Sequence, residues 1–388
     1  MGRKGKRKKT RSKDAQRYSR FESVSAFVPK ETVTTDEVMS RVKIFPLYKL
    51  KKIPILNKIF SLGKLKYFLH EKIDLERLTG IKKRHQCSKD EDSYTMALGA
   101  AKKCLKYSKY DAKDLDVIIN CSISKYKGGL TYVYEPPLSV YLKDALGAPQ
   151  ALNFDISNAC AGMMTGVFIL DDMIRRGVVK KGMVVSGEYT TYLYKNAAPK
   201  VKTIASEQLA SLTTGDGAAA VIMERSADNK PRMRVSNFTT LSEYSDLCFG
   251  RPSMDQPGAV MTTKAQKIHK VAIANAPQVM EKALEGSGLT YDEVDYVIPH
   301  QTSKRAIEVG GKIIGDYFGV QPKRIVNNLE EFANTASTTH FIAMYRMLKQ
   351  KVFKKGEKIM LLVFASGLVV GVVIFTMDDL VDKYGSSS

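Results

Sequence analysis

Residues 153–163 read NFDISNACAGM, with Cys160 between small neighbours and ahead of an apolar run. Met163, Val167, Leu170 and Ile174 recur at helical spacing, which predicts a strand, a turn carrying Cys160, and then a helix. Helix-terminal amides stabilise a thiolate, and Ala161 and Gly162 leave the sulfur approachable, so Cys160 is the candidate nucleophile. His300 closes an apolar stretch in VIPHQTS (297–303), and an imidazole at a strand terminus of a layered α/β fold faces ligand. Asn334 lies in FANTAS (332–337), where it serves either as a helix cap or as a polar partner in the chemistry. Cys, His and Asn together support acyl transfer through a cysteine thioester; the trio also serves thiol-dependent hydrolysis of thioesters or amides, a more distant alternative that the duplicated fold argues against. Cys87, Cys104, Cys121 and Cys248 read as structural, and His70, His85, His269 and His340 as surface or packing residues.

The elements that must position these groups come from an internal duplication. Residues 105–116 (LKYSKYDAKDLD) match 284–295 (LEGSGLTYDEVD), and each opens into an apolar strand, VIIN or YVIP. Cys160 stands 22 residues before Gly182 in a Lys-Lys-Gly break, and Asn334 stands 22 before Gly356 in another. Both breaks lead into buried strands, and 218–223 and 369–375 close the halves. Alternating helices and β-branched strands predict a layered α/β fold, duplicated into five αβαβα layers. The expected division is a basic tail over 1–20, one half over 21–226 and a second over 227–388. Cys160 and Asn334 then occupy matched corners near a pseudo-twofold axis. The apolar run 359–377 is long enough to span a membrane, but Ala365-Ser366-Gly367 breaks it into two buried strands.

The net charge of +21 is concentrated. Residues 1–20 hold ten lysines and arginines against Asp14, and 41–70 hold eight with no acid. The tail carries no nucleic-acid module, and no specific nucleic-acid partner is expected. No apolar core follows the tail's basic run, so no signal peptide is expected. Five widely spaced cysteines without a CxxC pair point to a reduced, cytoplasmic protein with neither a disulfide framework nor a zinc site. The stretch 41–68 alternates apolar residues with lysine and is expected to border substrate entry, capping a tunnel or touching a membrane surface.

With N-A-C-A-G-M, P-H-Q-T-S and A-N-T-A-S in this order, the chain resembles the β-ketoacyl-acyl-carrier-protein synthase III branch of the thiolase superfamily. Thr79-Gly80-Ile81, Gly215-Asp216-Gly217 and Phe364-Ala365-Ser366-Gly367 extend the likeness from about residue 21 to 379. The resemblance implies a homodimer that uses acyl-coenzyme A or acyl-carrier-protein thioesters, with no metal or redox cofactor. Cys160 would take the acyl group, with its own N–H and that of Ser366 as oxyanion hole. His300 and Asn334 would then stabilise the enolate of a malonyl-type thioester, giving a β-ketoacyl product.

Four positions differ from the pattern or refine it. Glu135, 25 residues before Cys160, stands where a partner-subunit loop carries an aromatic residue. A glutamate there is similar to head-to-head acyl-condensing enzymes of long-chain olefin synthesis, and dialkylresorcinol-type ketosynthases are a further likeness. In an apolar tunnel its carboxyl would be raised toward the range of a base. Asp74 and Leu78 occupy the positions of the family's adenine-clamping Trp and Arg. Arg305 matches a carrier-contacting arginine, and Lys304 and Lys312 lie close by, suited to an acidic acyl carrier protein.

Overall fold

The computed structural model describes residues 17–42 and 73–384. His70 and most of the stretch 41–68 lie outside the described residues, as does the tail up to residue 16.

The first half runs β1 (Ser19–Phe27), α1 (Ser93–Tyr107), β2 (Val117–Asn120), α2 (Leu138–Leu146), β3 (Leu152–Asp155), α3 (Gly162–Arg176), β4 (Lys181–Glu188) and β5 (Gly217–Arg225). Its sheet has the order β1-β5-β4-β2-β3, with β2 parallel to β3 and β4, and β5 antiparallel to β4 and β1. Ser19 and Arg20, assigned to the tail on sequence grounds, lie within β1. Arg20 is tied to Glu224 and Asp378, each at 2.9 Å.

The second half repeats this order as β6 (Met233–Thr240), α4 (Ala265–Ser287), β7 (Tyr296–Pro299), α5 (Lys304–Phe318), α6 (Thr339–Lys349), β8 (Lys358–Ala365) and β9 (Val369–Thr376). Here the order is β7-β8-β9-β6, with β7 parallel to β8 and the remaining pairs antiparallel. A single parallel bridge from Val297 to Ile325 stands where the first half has its fifth strand.

Helices α3 and α6 lie between the sheets. Their residues Met163, Val167, Leu170, Phe341 and Met344 share one core with Val24 and Val184 of the first sheet and Leu361 and Val373 of the second. Helix α1 covers the outer face of the first sheet and α4 that of the second. The result is a five-layer αβαβα thiolase-like fold. It also explains the long apolar run. In β8, Ile359, Leu361 and Val363 face the central core while Met360 and Leu362 face the outer one. Both faces of the strand are covered, so no polar alternation survives. Among the described residues no helix is long and apolar enough to cross a membrane.

The duplication extends to single backbone groups. The N–H of Cys121, after β2, donates to Val185 O in β4 at 2.8 Å, and that of His300, after β7, donates to Leu362 O in β8 at 2.8 Å. Ala159 and Ala333, directly ahead of Cys160 and Asn334, both take positive φ, 44° and 58°. Such backbone costs on the order of 1–3 kcal/mol per alanine and persists where surrounding packing enforces it. The same strained step thus presents the side chain at both corners.

Candidate active site

Cys160 lies in the 3-10 turn Ala159–Ala161, which leads into α3 and packs on β8 and on the turn Ala336–Thr338 that follows Asn334. The two corners therefore meet across the interface between the halves. The cysteine is half-buried. Burial pushes its thiol up, and Cys248 and Glu188 push in the same direction. The expected lowering by the helix terminus is outweighed. The sulfur sits in a turn ahead of the first helical residue, and desolvation disfavours the thiolate more strongly than the helix dipole favours it. Burial therefore favours the protonated thiol at Cys160.

His300 is 4% exposed. Burial lowers its imidazole to about 3, helped by His340 and His269, so the ring is neutral at physiological pH. Its Nδ1 is enclosed without a partner. Its Nε2 makes no hydrogen bond among the described residues and is not among the enclosed, unpartnered atoms.

Asn334 is pinned by its backbone: its N–H donates to Thr213 O and its carbonyl accepts from Gly215, both at 3.0 Å. Its side-chain Oδ1 accepts from Ala336 N–H at 2.9 Å. The cap and the chemical role foreseen for this residue are therefore compatible. The oxygen shapes the turn and the amide N–H₂ stays available. Ser366 opens the turn between β8 and β9, next to the strand on which the Cys160 turn packs, and mutual backbone bonds between Leu368 and Leu241 steady this turn.

Glu135 is exposed at a loop beside Tyr132 and Tyr134, whose rings lie 4.7 Å apart. Within one chain it sits at the surface and not in an apolar tunnel. On α5, Lys304 pairs with Glu308 at 3.9 Å and Lys312 with Asp316 at 2.7 Å, while Arg305 has no acid within ion-pair distance among the described residues. Asp74 caps the short helix Leu75–Thr79, accepting from Arg77 N–H at 2.9 Å.

Two residues near the site escaped sequence reasoning. Glu188, fully buried at the end of β4, accepts from Ile123 N–H (3.0 Å), Ser124 N–H (3.2 Å), the hydroxyls of Ser124 (3.1 Å) and Ser186 (3.0 Å), and the hydroxyl of Ser337. It thereby binds the first half to the turn after Asn334. Burial raises its carboxyl, and these donors oppose the rise. His340, on the first turn of α6, is fully buried and stacks on His300 with centroids 5.9 Å apart. Its place six residues after Asn334 was the only signal, and spacing alone could not show which ring it meets.

The duplicated αβαβα body, with Cys160 and Asn334 at matched corners, is that of the thiolase-like fold. The family model 3-oxoacyl-[acyl-carrier-protein] synthase III matches residues 154–242, and its C-terminal counterpart matches 284–377. The synthase III of Lactobacillus helveticus is 28% identical over 305 residues, covering 76% of this chain and 87% of the relative. That of Methylococcus capsulatus is 24% identical over 360 residues, covering 92% and 98%. Among solved structures, cerulenin-bound OleA of Xanthomonas campestris has a TM-score of 0.76 at 22% identity, covering 93% of this chain and 98% of that one. The Aquifex aeolicus synthase III has a TM-score of 0.73 at 22% identity, covering 92% and 100%. The chain is a synthase III-like member of the thiolase superfamily, an acyl-transferring ketosynthase that condenses acyl thioesters.

Proposed function

We propose that the protein joins a Cys160-bound acyl group to a malonyl-type thioester by decarboxylative Claisen condensation. What supports the reading is a buried, neutral His300 whose Nε2 makes no hydrogen bond among the described residues, and Asn334 with its amide N–H₂ unspent. Neutral imidazole and amide donate to a thioester carbonyl and strengthen that bond as the carbonyl gains charge. In the first step Cys160 sulfur attacks the acyl thioester, the carrier thiolate leaves, and the thiol proton departs with it. The N–H groups of Cys160 and Ser366 would hold the oxyanion. In the second step the malonyl thioester releases CO₂, and its enolate is held by His300 and Asn334. The enolate carbon attacks the acyl-Cys carbonyl, a C–C bond forms, the C–S bond breaks, and a β-ketoacyl thioester leaves. A protonated His300 would carry a charge that burial disfavours, so the depressed pKa suits the donor role.

Coenzyme A or an acidic acyl carrier protein would deliver the thioesters. Arg305, Lys304 and Lys312 on α5 are suited to the carrier, whose acidic surface favours docking and orientation through charge. The chain would act as a homodimer, for which the outer edge of β3, with Leu152 55% exposed, is the open edge of the first sheet.

A second reading is favoured by the exposed Tyr132-to-Glu135 loop. In it Glu135 of one subunit would serve the Cys160 site of another and permit condensation of two long acyl chains without decarboxylation. A cysteine-to-serine variant of OleA binds lauric acid and lauroyl-CoA, and glutamate variants of that protein are also solved. Incubation with a long-chain acyl thioester, with and without malonyl thioester, separates the readings by intact mass and CO₂. An adduct on Cys160 consumed with CO₂ release supports the first. Consumption by a second acyl thioester without CO₂, lost in Glu135→Gln, supports the second. Absence of any adduct would refute both, and a Cys-His-Asn hydrolase would instead release free acid from simple thioesters.

A further inference from the structure

The two halves provide an internal comparison at the His300 corner. In the first half Cys121 occupies the place of His300, with its N–H on Val185 O, and the residue six beyond the Cys160 corner is Gly166. A Cβ on Gly166 would lie 2.7 Å from both Cys121 Sγ and Val184 Cγ1, so the Cys121 and Gly166 positions are in contact and the first half fills the space with a sulfur and a valine methyl. In the second half the residue six beyond Asn334 is His340, and the contact is made by two stacked imidazoles inclined by 26°. The fold therefore does not require a ring here, since its own duplicate closes the same contact without one.

His340 is also bonded in a way that concerns His300. Its Nε2 lies 3.0 Å from Leu362 O, the same carbonyl that accepts the His300 backbone N–H at 2.8 Å. A carbonyl only accepts, so Nε2 of His340 carries the proton and its Nδ1 holds the lone pair. That Nδ1 is buried without a partner, as is Nδ1 of His300. A second imidazole with an orphaned nitrogen is a costly way to fill a space that Cys121, Val184 and a glycine close in the twin half. Beyond packing, it gives the His300 ring a flat wall and fixes its plane through a shared anchor on β8.

We propose that His340 is a positioning residue for the condensation step. It holds the plane of the His300 imidazole so that Nε2 points at the thioester carbonyl, and it excludes water and charge from the Nδ1 side. His269 is the other titratable group facing this pair. The inference rests on the proposed donor role of His300 and deepens it.

The test uses the full-length protein with His340→Phe, which keeps a ring but loses the carbonyl bond, and His340→Gln, whose side-chain N–H₂ can reach Leu362 O. Three quantities are read: adduct formation on Cys160 from an acyl thioester, malonyl-dependent CO₂ release, and the ¹⁵N imidazole signals of His300. The expected result for His340→Phe is acylation within about twofold of wild type, CO₂ release down at least tenfold, and an altered or broadened His300 signal. His340→Gln should recover part of the loss. An unchanged His300 signal with wild-type CO₂ release overturns the proposal. So does a parallel fall of acylation, CO₂ release and thermal stability, which marks plain packing. If wild type forms the adduct but releases no CO₂ with malonyl thioester, the decarboxylative reading fails, and the His300 signal still decides the role of His340.

Discussion

Gly162 opens α3 two residues after Cys160, and replacing it by alanine measures how tightly the two corners are held. In an ordinary helical position with αR backbone, as here (φ −50°, ψ −56°), alanine gains about 0.5–1 kcal/mol over glycine. The surroundings reverse the sign. A Cβ at this position would lie 2.8 Å from Cys121 O, 3.5 Å from Cys121 Cβ and 3.6 Å from Ser337 Cβ. The first contact is with backbone, which cannot rotate away, so the turn carrying Cys160 must shift by several tenths of an ångström. Overpacking of this kind costs about 1–3 kcal/mol, enough to exceed the helical gain. Because Ser337 follows Asn334, the shift acts on the spacing between the nucleophile and its partner corner. Misplacement approaching 1 Å costs up to about 10²-fold in rate. Gly162→Ala should lower the urea midpoint modestly and reduce condensation roughly 10- to 100-fold while the protein remains folded by circular dichroism. Gly250→Ala, where a Cβ meets nothing within 4 Å, is the control and should be neutral in both assays. Wild-type condensation by a Gly162→Ala protein of unchanged stability would refute the close approach of the corners.

Other outcomes follow from the same geometry. His300 and His340 are held at about 3 and about 4, below the ordinary value of 6.5. The unfolded chain thus binds more protons than the folded one between these limits, and stability present above pH 6.5 should drain away as pH falls toward 4. Urea titrations in His340→Phe should show a shallower loss over that window. An equal slope in both proteins would count against it. Arg305→Glu should raise KM for a carrier-protein thioester several-fold, with a weaker salt dependence, and leave a coenzyme A thioester nearly unaffected. Equal effects on both donors would remove α5 as the carrier surface. Glu188→Ala leaves five donors without their acceptor in a fully buried site. It should cost on the order of 3 kcal/mol or more by denaturant unfolding, and a loss below about 1 kcal/mol would show that water replaces the carboxylate.

Much of this protein was legible in its residues. The repeat of 105–116 in 284–295, and the equal distances from Cys160 and Asn334 to their Lys-Lys-Gly breaks, determined a duplicated α/β fold. Local hydrophobic period and turn composition carry that information along the chain. The apolar run 359–377 resolved into β8 and β9 for the same reason. Three things were settled only by the tertiary structure. The direction of the Cys160 shift depends on desolvation, a property of everything packed around the sulfur and not of its place before a helix. The exposure of Glu135 depends on how its loop leaves the body of a single chain. His340, read as a packing residue, meets His300 because α6 and β7 converge on Leu362, and no spacing along the chain encodes which ring a buried ring will face. Sequence period fixes which side of an element turns inward; the partner met there is set by the crossing of elements distant in the chain.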